Sequence, residues 1–339
     1  MNPPRGPVAV TGVAGFIGFC VADRLLREGV AVVGVDDLSE TYYAARLKRL
    51  RLERLEGRDG FAFHRLDLAD AAAVADLFAR TRPSHVLHLA AQAAVLPSFA
   101  DPQLYLRSNV LGTQAVLDAA RGLDGLEHLV YASTSSVYGR SQDDTPFQED
   151  QPTATPVSVY GASKVANEAM AQAQSDRYGM PVTGLRFFKV YGPWGRPDTV
   201  FFKFVDRIWR GEPVRLHNHG KIYHAFTFID DVVDGVVRAL SRAPEPQAGV
   251  RHPIYNLGND RSEHLGECVD AMEAAIGRAA IRDYVPLPPG DRSHSRANVD
   301  RARRDLGYDP KVRVAEGIPK LVEWYRDVCA PLGEPLDRL

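Results

Sequence analysis

A chain of 339 residues, 45% hydrophobic and 25% charged, has room for one large or two smaller globular domains with ample core. Its formal net charge of −2 gives no electrostatic drive toward nucleic acid or an anionic membrane, and no apolar run reaches the roughly 18 residues of a membrane span. The N-terminal MNPPRGPVAV lacks a signal-peptide core, and Cys20, Cys268 and Cys329 are too dispersed for a disulfide or metal framework, so a cytoplasmic protein without a metal is expected.

In chain order, Val8–Val10 reads as a first strand and FIGFCVADRLLREG as the helix behind it. VAVVGVDD is a second strand ending in two aspartates, FAFHRLDL a third, HVLHLAA a fourth and LEHLVYAS a fifth. Between them, ADAAAVADLFART and LYLRSNVLGTQAVLDAARG carry helical period. Val, Leu and Phe fill both alternating positions of the strands, the composition of a parallel sheet buried on both faces. Strand–helix alternation implies right-handed βαβ units. YGASKVANEAMAQAQSDRYG is a further helix and PVTGLRFF a sixth strand. After about residue 187, Pro, Gly and aromatics thicken. FTFIDDVVDGVVRALSR reads as a strand returning to the sheet and a helix capped by Asp230 or Asp231. The tail from LPPGDRSHSRANVDRARRDLGY onward reads as loop and short helices. The expected fold is α/β, a Rossmann-type doubly wound parallel sheet. A larger part comprises residues 1–186 plus about 222–258. A smaller, discontinuous part, about 187–221 plus 259–339, covers the carboxyl ends of the strands.

TGVAGFIG spaces Gly12, Gly15 and Gly18 between the first strand and its helix. This is the setting of a dinucleotide fingerprint: glycines admit the pyrophosphate to the backbone, and free N–H groups at the helix start carry partial positive charge. The second strand ends at Asp36, 18 residues beyond Gly18. A carboxylate there accepts from a ribose 2′-hydroxyl and repels a 2′-phosphate, which favours NAD over NADP. Asp67 and Leu68, after the third strand, are placed to contact the adenine.

YGASK puts Tyr160 and Lys164 one turn apart on one helix face. A phenol near its usual pKa of about 10 is a poor base at neutral pH, and a nearby ammonium lowers it. STSSVYG ends the fifth strand, where ligands gather in open α/β sheets. Its hydroxyls suit the orientation of a sugar alcohol.

With these motifs, together with VDDLSETYY, HLAAQA, SNVLGT, YGPWGRPD, NHGK and FTFIDDVVDG, the chain resembles an extended short-chain dehydrogenase/reductase acting on nucleotide sugars. The resemblance runs through nearly the whole length. It implies a sheet of about seven parallel strands and a tightly held NAD. The larger part then binds NAD and the smaller part the nucleotide sugar. It also implies a homodimer through a four-helix bundle formed by the helices containing Asn109 and Tyr160. Thr134 would take the catalytic Ser/Thr position, with Tyr160 as acid/base and Lys164 on the nicotinamide ribose, tuning Tyr160. Phe16, Ile17, Ala90, Ala91 and Asn109 would join the cofactor contacts, and Gln92, Ser135 and Ser136 the substrate contacts.

Dehydratases of the family place Asp-Glu just before VYG, and the decarboxylases a Glu; here those positions are Ser135 and Ser136. Neither supplies a carboxylic acid, which leaves redox-neutral epimerisation at C4. RFFKVYGPWGRPDTVFF is most similar to the branch interconverting UDP-glucuronate and UDP-galacturonate. There the arginine of GPWGRPD, Arg196, binds the sugar carboxylate, a task suited to a guanidinium fork. His217 and Asn218, in HNHGK, resemble the segment beside the uridine. The branch usually has Thr at Lys189, Arg at Leu96, and Arg-Asp at His224 and Ala225. Two readings follow. In one, Lys189 contacts the carboxylate or a phosphate, and Arg292 or Arg296 replaces the lost diphosphate partner. In the other, the substrate is a different sugar, as in UDP-glucose or UDP-N-acetylhexosamine 4-epimerases. A non-catalytic NAD-binding scaffold is the third class; it would not need the Tyr-Lys pair.

Overall fold

The computed structural model describes residues 4, 6–41, 43–140, 144–244, 252–287, 293–334 and 338. Seven parallel strands form the central sheet: β1 (Val8–Thr11), β2 (Val32–Asp36), β3 (Phe61–Arg65), β4 (His85–His88), β5 (His128–Thr134), β6 (Val182–Phe187) and β11 (Ile254–Leu257), in the order β11-β6-β5-β4-β1-β2-β3. Winding reverses between β1 and β4, so the crevice where ligands of open sheets bind opens beyond the carboxyl ends of these strands.

Both sheet faces are buried. Val8 and Val10 join the core that holds Phe19 and Leu25 of α1 (Phe16–Arg27) and Val232 and Val236 of α9 (Ile229–Leu240). Ala9, Val33 and Val35 face the other side, with Leu77 and Phe78 of α3 (Ala71–Thr81) and Val116 of α6 (Gly112–Arg121). Two-sided burial is why these strands are apolar at every position rather than at alternate ones.

The helix expected over 104–122 is interrupted. A short α5 (Pro102–Tyr105) passes through a π-helical stretch at Leu106–Leu111 before α6 resumes. α7 (Val159–Tyr178) lies alongside. One helix absent from the sequence reading is α2 (Arg46–Leu55).

FTFIDD departs from expectation. Phe226–Phe228, β10, does not rejoin the central sheet but pairs in parallel with β7 (Lys189–Tyr191). The strand that rejoins the sheet is β11, beside β6. Phe188 alone separates β6 from β7, so the chain leaves the sheet there and β10 follows it out. Neither Asp230 nor Asp231 caps α9. Both lie in its first turn, where the helix dipole favours negative charge, and Asp231 accepts from the Val312 amide at 2.9 Å.

The remainder builds small sheets: β8 (Pro213–Leu216) with β13 (Ile281–Tyr284), and β9 (Tyr223–His224) between β12 (Glu263–His264) and β14 (His294–Ser295). α8 (Val200–Arg210), α10 (Leu265–Ile276) and α12 (Val314–Trp324) pack together around them, with α4 (Pro97–Ala100) and α11 (Asp300–Leu306) completing the helices named here. Cys268 and Cys329 are buried and Cys20 half-buried. Among the described residues, no helix is long and apolar enough to cross a membrane.

Candidate active site

A cavity of about 1010 Å³ opens at the winding reversal, large enough for a dinucleotide and a second nucleotide. Gly12, Gly15, Phe16, Ile17, Gly18, Asp36, Asp67, Leu68, Ala90 and Ala91 line one end. A Cβ on Gly18 would lie 2.1 Å from the Gly12 carbonyl oxygen, so only glycine permits this turn. α1 begins after Gly15 with no side chain capping its first turn, leaving backbone N–H groups for an anion.

Asp36 is buried. Its carboxylate accepts from the Ala14 amide at 3.1 Å and the Leu38 amide at 2.9 Å, and a carboxylate has about four acceptor positions, so two are left for ribose hydroxyls. Burial raises its pKa, opposed chiefly by the Lys48 charge. Asp67 accepts from Arg107 at 2.7 Å and the Ala69 amide at 2.9 Å; burial works to raise its pKa, yet these partners hold it below the usual range. The donors and glycine cradle fit NAD.

Asn109 is buried behind the wall rather than on it. Its Oδ1 accepts from the Gln92 amide at 2.8 Å, and its Nδ2 donates to the Gln92 carbonyl at 3.0 Å and to Ser163 at 2.9 Å. It thus ties the wall segment at Gln92 to α7. The neutral His88, pushed down to about 3 by burial and the Lys164 charge, bridges the Thr11 and Thr113 hydroxyls below.

At the cavity's centre are Thr134, Ser135, Ser136, Tyr160 and Lys164. Ser158 caps α7 by accepting from the Gly161 amide at 3.0 Å, which sets Tyr160 in the first turn. A Cβ on Gly161 would come within 2.9 Å of the Ser136 carbonyl oxygen, so glycine lets that turn press against the segment after β5. Tyr160 shares a hydrogen bond with Thr134; burial raises its phenol, while Thr134 and the Arg196 charge lower it. Lys164 is buried and donates to the Ala132 carbonyl at 3.0 Å. Burial lowers its pKa to about 8, opposed by Glu168. The cation acting on Tyr160 is therefore Arg196, with Lys164 turned to the backbone.

Lys189 and Arg196 also line the cavity, with Lys203, His224 and Ser295. Arg196 is already paired through its Nε–Nη2 edge with the Asp198 carboxylate, Nε lying 2.9 Å from Oδ1. Its end-on Nη1–Nη2 edge is the one left for a second carboxylate. Leu96, on the rim, is 80% exposed. His217 and Asn218 are in a turn off the cavity wall, and Arg292 lies outside the described residues. Arg296 is not on the wall either; it donates to the Asp144 carbonyl at 3.0 Å.

Two groups escaped the sequence reading. Glu168, one turn beyond Lys164, receives Ser133 at 2.6 Å and a bidentate Arg186 at 2.8 and 2.7 Å, all buried. Arg51 of α2 is completely buried against the Arg196 loop. Leu47, Arg51 and Leu55 at spacing i, i+4, i+8 were the signal: a charge in the middle of an apolar stripe.

A model of the NAD dependent epimerase/dehydratase family matches residues 8–258. A probable UDP-glucuronate 4-epimerase of Rhizobium meliloti (strain 1021) is 38% identical over 329 residues, 93% of this chain and 96% of that one. UDP-glucuronate 4-epimerase 6 of Arabidopsis thaliana is 39% identical, over 95% of this chain and 72% of that one. The solved structure of UDP-glucuronic acid 4-epimerase from Bacillus cereus, in complex with UDP-glucuronic acid and NAD, superposes with a TM-score of 0.86 at 29% identity, covering 95% of this chain and 99% of that one. Match and fold agree over most of the molecule, cradle and cavity included, and the chain belongs to the NAD dependent epimerase/dehydratase family, with NAD as its cofactor.

Proposed function

We propose that this chain is a UDP-glucuronate 4-epimerase, an isomerase that interconverts UDP-glucuronate and UDP-galacturonate. The observation that carries this reading is Arg196, whose guanidinium presents an unengaged edge in the cavity that holds Tyr160 and Thr134. The relatives named above support it. Gly12, Gly15, Phe16, Ile17, Gly18, Asp36, Asp67, Leu68, Ala90 and Ala91 hold NAD. Bound NAD supplies reversible oxidation at C4 and ends the cycle unchanged. Thr134 orients the sugar 4-hydroxyl toward Tyr160, and Tyr160 Oη takes and returns its proton. Lys164 would bind the cofactor's nicotinamide ribose, and it holds Tyr160's end of α7 to β5 through Ala132. Gln92, Ser135 and Ser136 border the sugar, and Lys189 faces the carboxylate or a phosphate.

The 1–186 plus 222–258 part binds the cofactor, and the remainder the nucleotide sugar. What supports this is that six of the seven central strands lie wholly in the first part, as does all of β6 but its last residue. One observation favours a second reading, a neutral hexose: Asp198 already neutralises Arg196. Incubating the purified protein with UDP-glucuronate and separating the 4-epimers by chromatography decides. Conversion of UDP-glucose alone would put the second reading in its place.

A further inference from the structure

Arg51 is the largest fully buried side chain among the described residues. Burying a guanidinium is unfavourable unless its donors are met. Here they are. Nε and Nη2 donate to the Trp194 carbonyl at 3.2 and 2.7 Å, Nη2 also to the Gly195 carbonyl at 2.9 Å, and Nη1 to the Ala14 carbonyl at 2.9 Å and the Tyr43 hydroxyl at 3.3 Å. A guanidinium has five N–H groups, and each of these five bonds ends on a neutral oxygen.

The backbone acceptors belong to two distant chain segments. Ala14 is inside the glycine loop that cradles the cofactor. Trp194 and Gly195 immediately precede Arg196. Trp194 has φ +64°, a left-handed conformation that a bulky residue keeps only when its surroundings impose it. α2 also grips it from outside, with the Arg54 guanidinium 4.7 Å from the Trp194 ring centroid. Phe19 and Trp324 pack on the same ring at 5.2 and 5.3 Å.

We infer that Arg51 is a positioning residue for acid-sugar recognition: it locks the Arg196 loop to the glycine loop, so that cofactor and carboxylate anchor keep one fixed spacing. This rests on the reading of Arg196 as that anchor. Arg51 is not on the cavity wall, and it acts through the loops it joins. Lysine has three donors and cannot meet both segments fully. Methionine fills space and leaves the three carbonyls without their donors.

The test uses NAD-loaded wild type, Arg51→Lys and Arg51→Met. Calorimetric titration with UDP-glucuronate and UDP-glucose gives the preference for the acid sugar, and hydrogen exchange reads the amides of residues 12–18 and 192–199. Arg51→Met should cost the acid sugar about tenfold more affinity than the neutral one, with Arg51→Lys between them. Exchange should rise in both segments together. A lowered melting temperature with the preference and both exchange patterns intact would overturn the inference and leave Arg51 as core packing. A wild type without preference would sink the anchor reading instead; coupled exchange would then still decide whether Arg51 joins the loops. If Arg51→Met does not fold, Arg51→Lys carries the same comparison.

Discussion

Lys164 shows what the site demands of a single residue. Its pKa falls from 10.5 to about 8 through burial, a difference of roughly 3 kcal/mol between its charged and neutral forms. Below about pH 8 it is charged in both folded and unfolded chains, and the folded state bears the full cost; between about 8 and 10.5 only the unfolded chain keeps the proton, so stability rises with pH. Lys164→Met should therefore melt higher than wild type at pH 7, with the gap closing toward pH 10, while kcat collapses. Thermal scans at several pH values check this; a gap independent of pH would contradict it. Arg196→Ala is expected to abolish turnover of UDP-glucuronate and spare any activity on UDP-glucose, read by product chromatography. Equal loss on both would remove the carboxylate assignment. At this scale the sequence was legible where chemistry is local: the glycine spacing, Asp36, and the Tyr160–Lys164 pair need only one strand end or one helix face. It was not legible where a side chain's partner is remote. That Asp198 occupies one edge of Arg196, or that Lys164 turns to Ala132, depends on rotamers no spacing encodes.

α7 is the element that brings the chemistry to the sheet, and a buried ion pair docks it. Glu168 receives Arg186 of β6 and Ser133 of β5, and Arg186 also donates to the Tyr138 hydroxyl at 2.9 Å. Removing one partner leaves the other charge buried and unpaired. Glu168→Ala should cost about 3–5 kcal/mol in denaturant unfolding, and the Glu168→Met/Arg186→Met double variant clearly less. Equal losses would mean the pair itself, rather than the orphaned charge, sets the energy. Strands and long helices were readable because their periodicity repeats over many residues. The π-helical stretch at Leu106–Leu111 was not, since one inserted residue turns Asn109 inward without disturbing the apolar pattern around it. β10 misled for a related reason: Phe226 and Phe228 are as apolar as a sheet strand, but their cover is α8 and α12, not the doubly wound layers.

Across the whole molecule, the winding reversal brings loops from β1, β4 and β5 to one edge, and the small sheets after residue 187 close over them. The resemblance that implied about seven parallel strands is matched by seven. The homodimer stays a proposal. Leu106 and Leu111 are exposed on the helix beside α7, as a helical interface requires, and Leu111→Glu should shift a dimer toward monomer in light scattering; a wild-type monomer would dispose of it. The cysteines have a consequence for handling. Burial pushes the thiols of Cys268 and Cys329 up to about 12, and raises that of Cys20 further, so almost no thiolate exists at neutral pH. Iodoacetamide should therefore modify the cysteines of the native protein far more slowly than those of the unfolded chain, read by mass spectrometry; equal rates would contradict this.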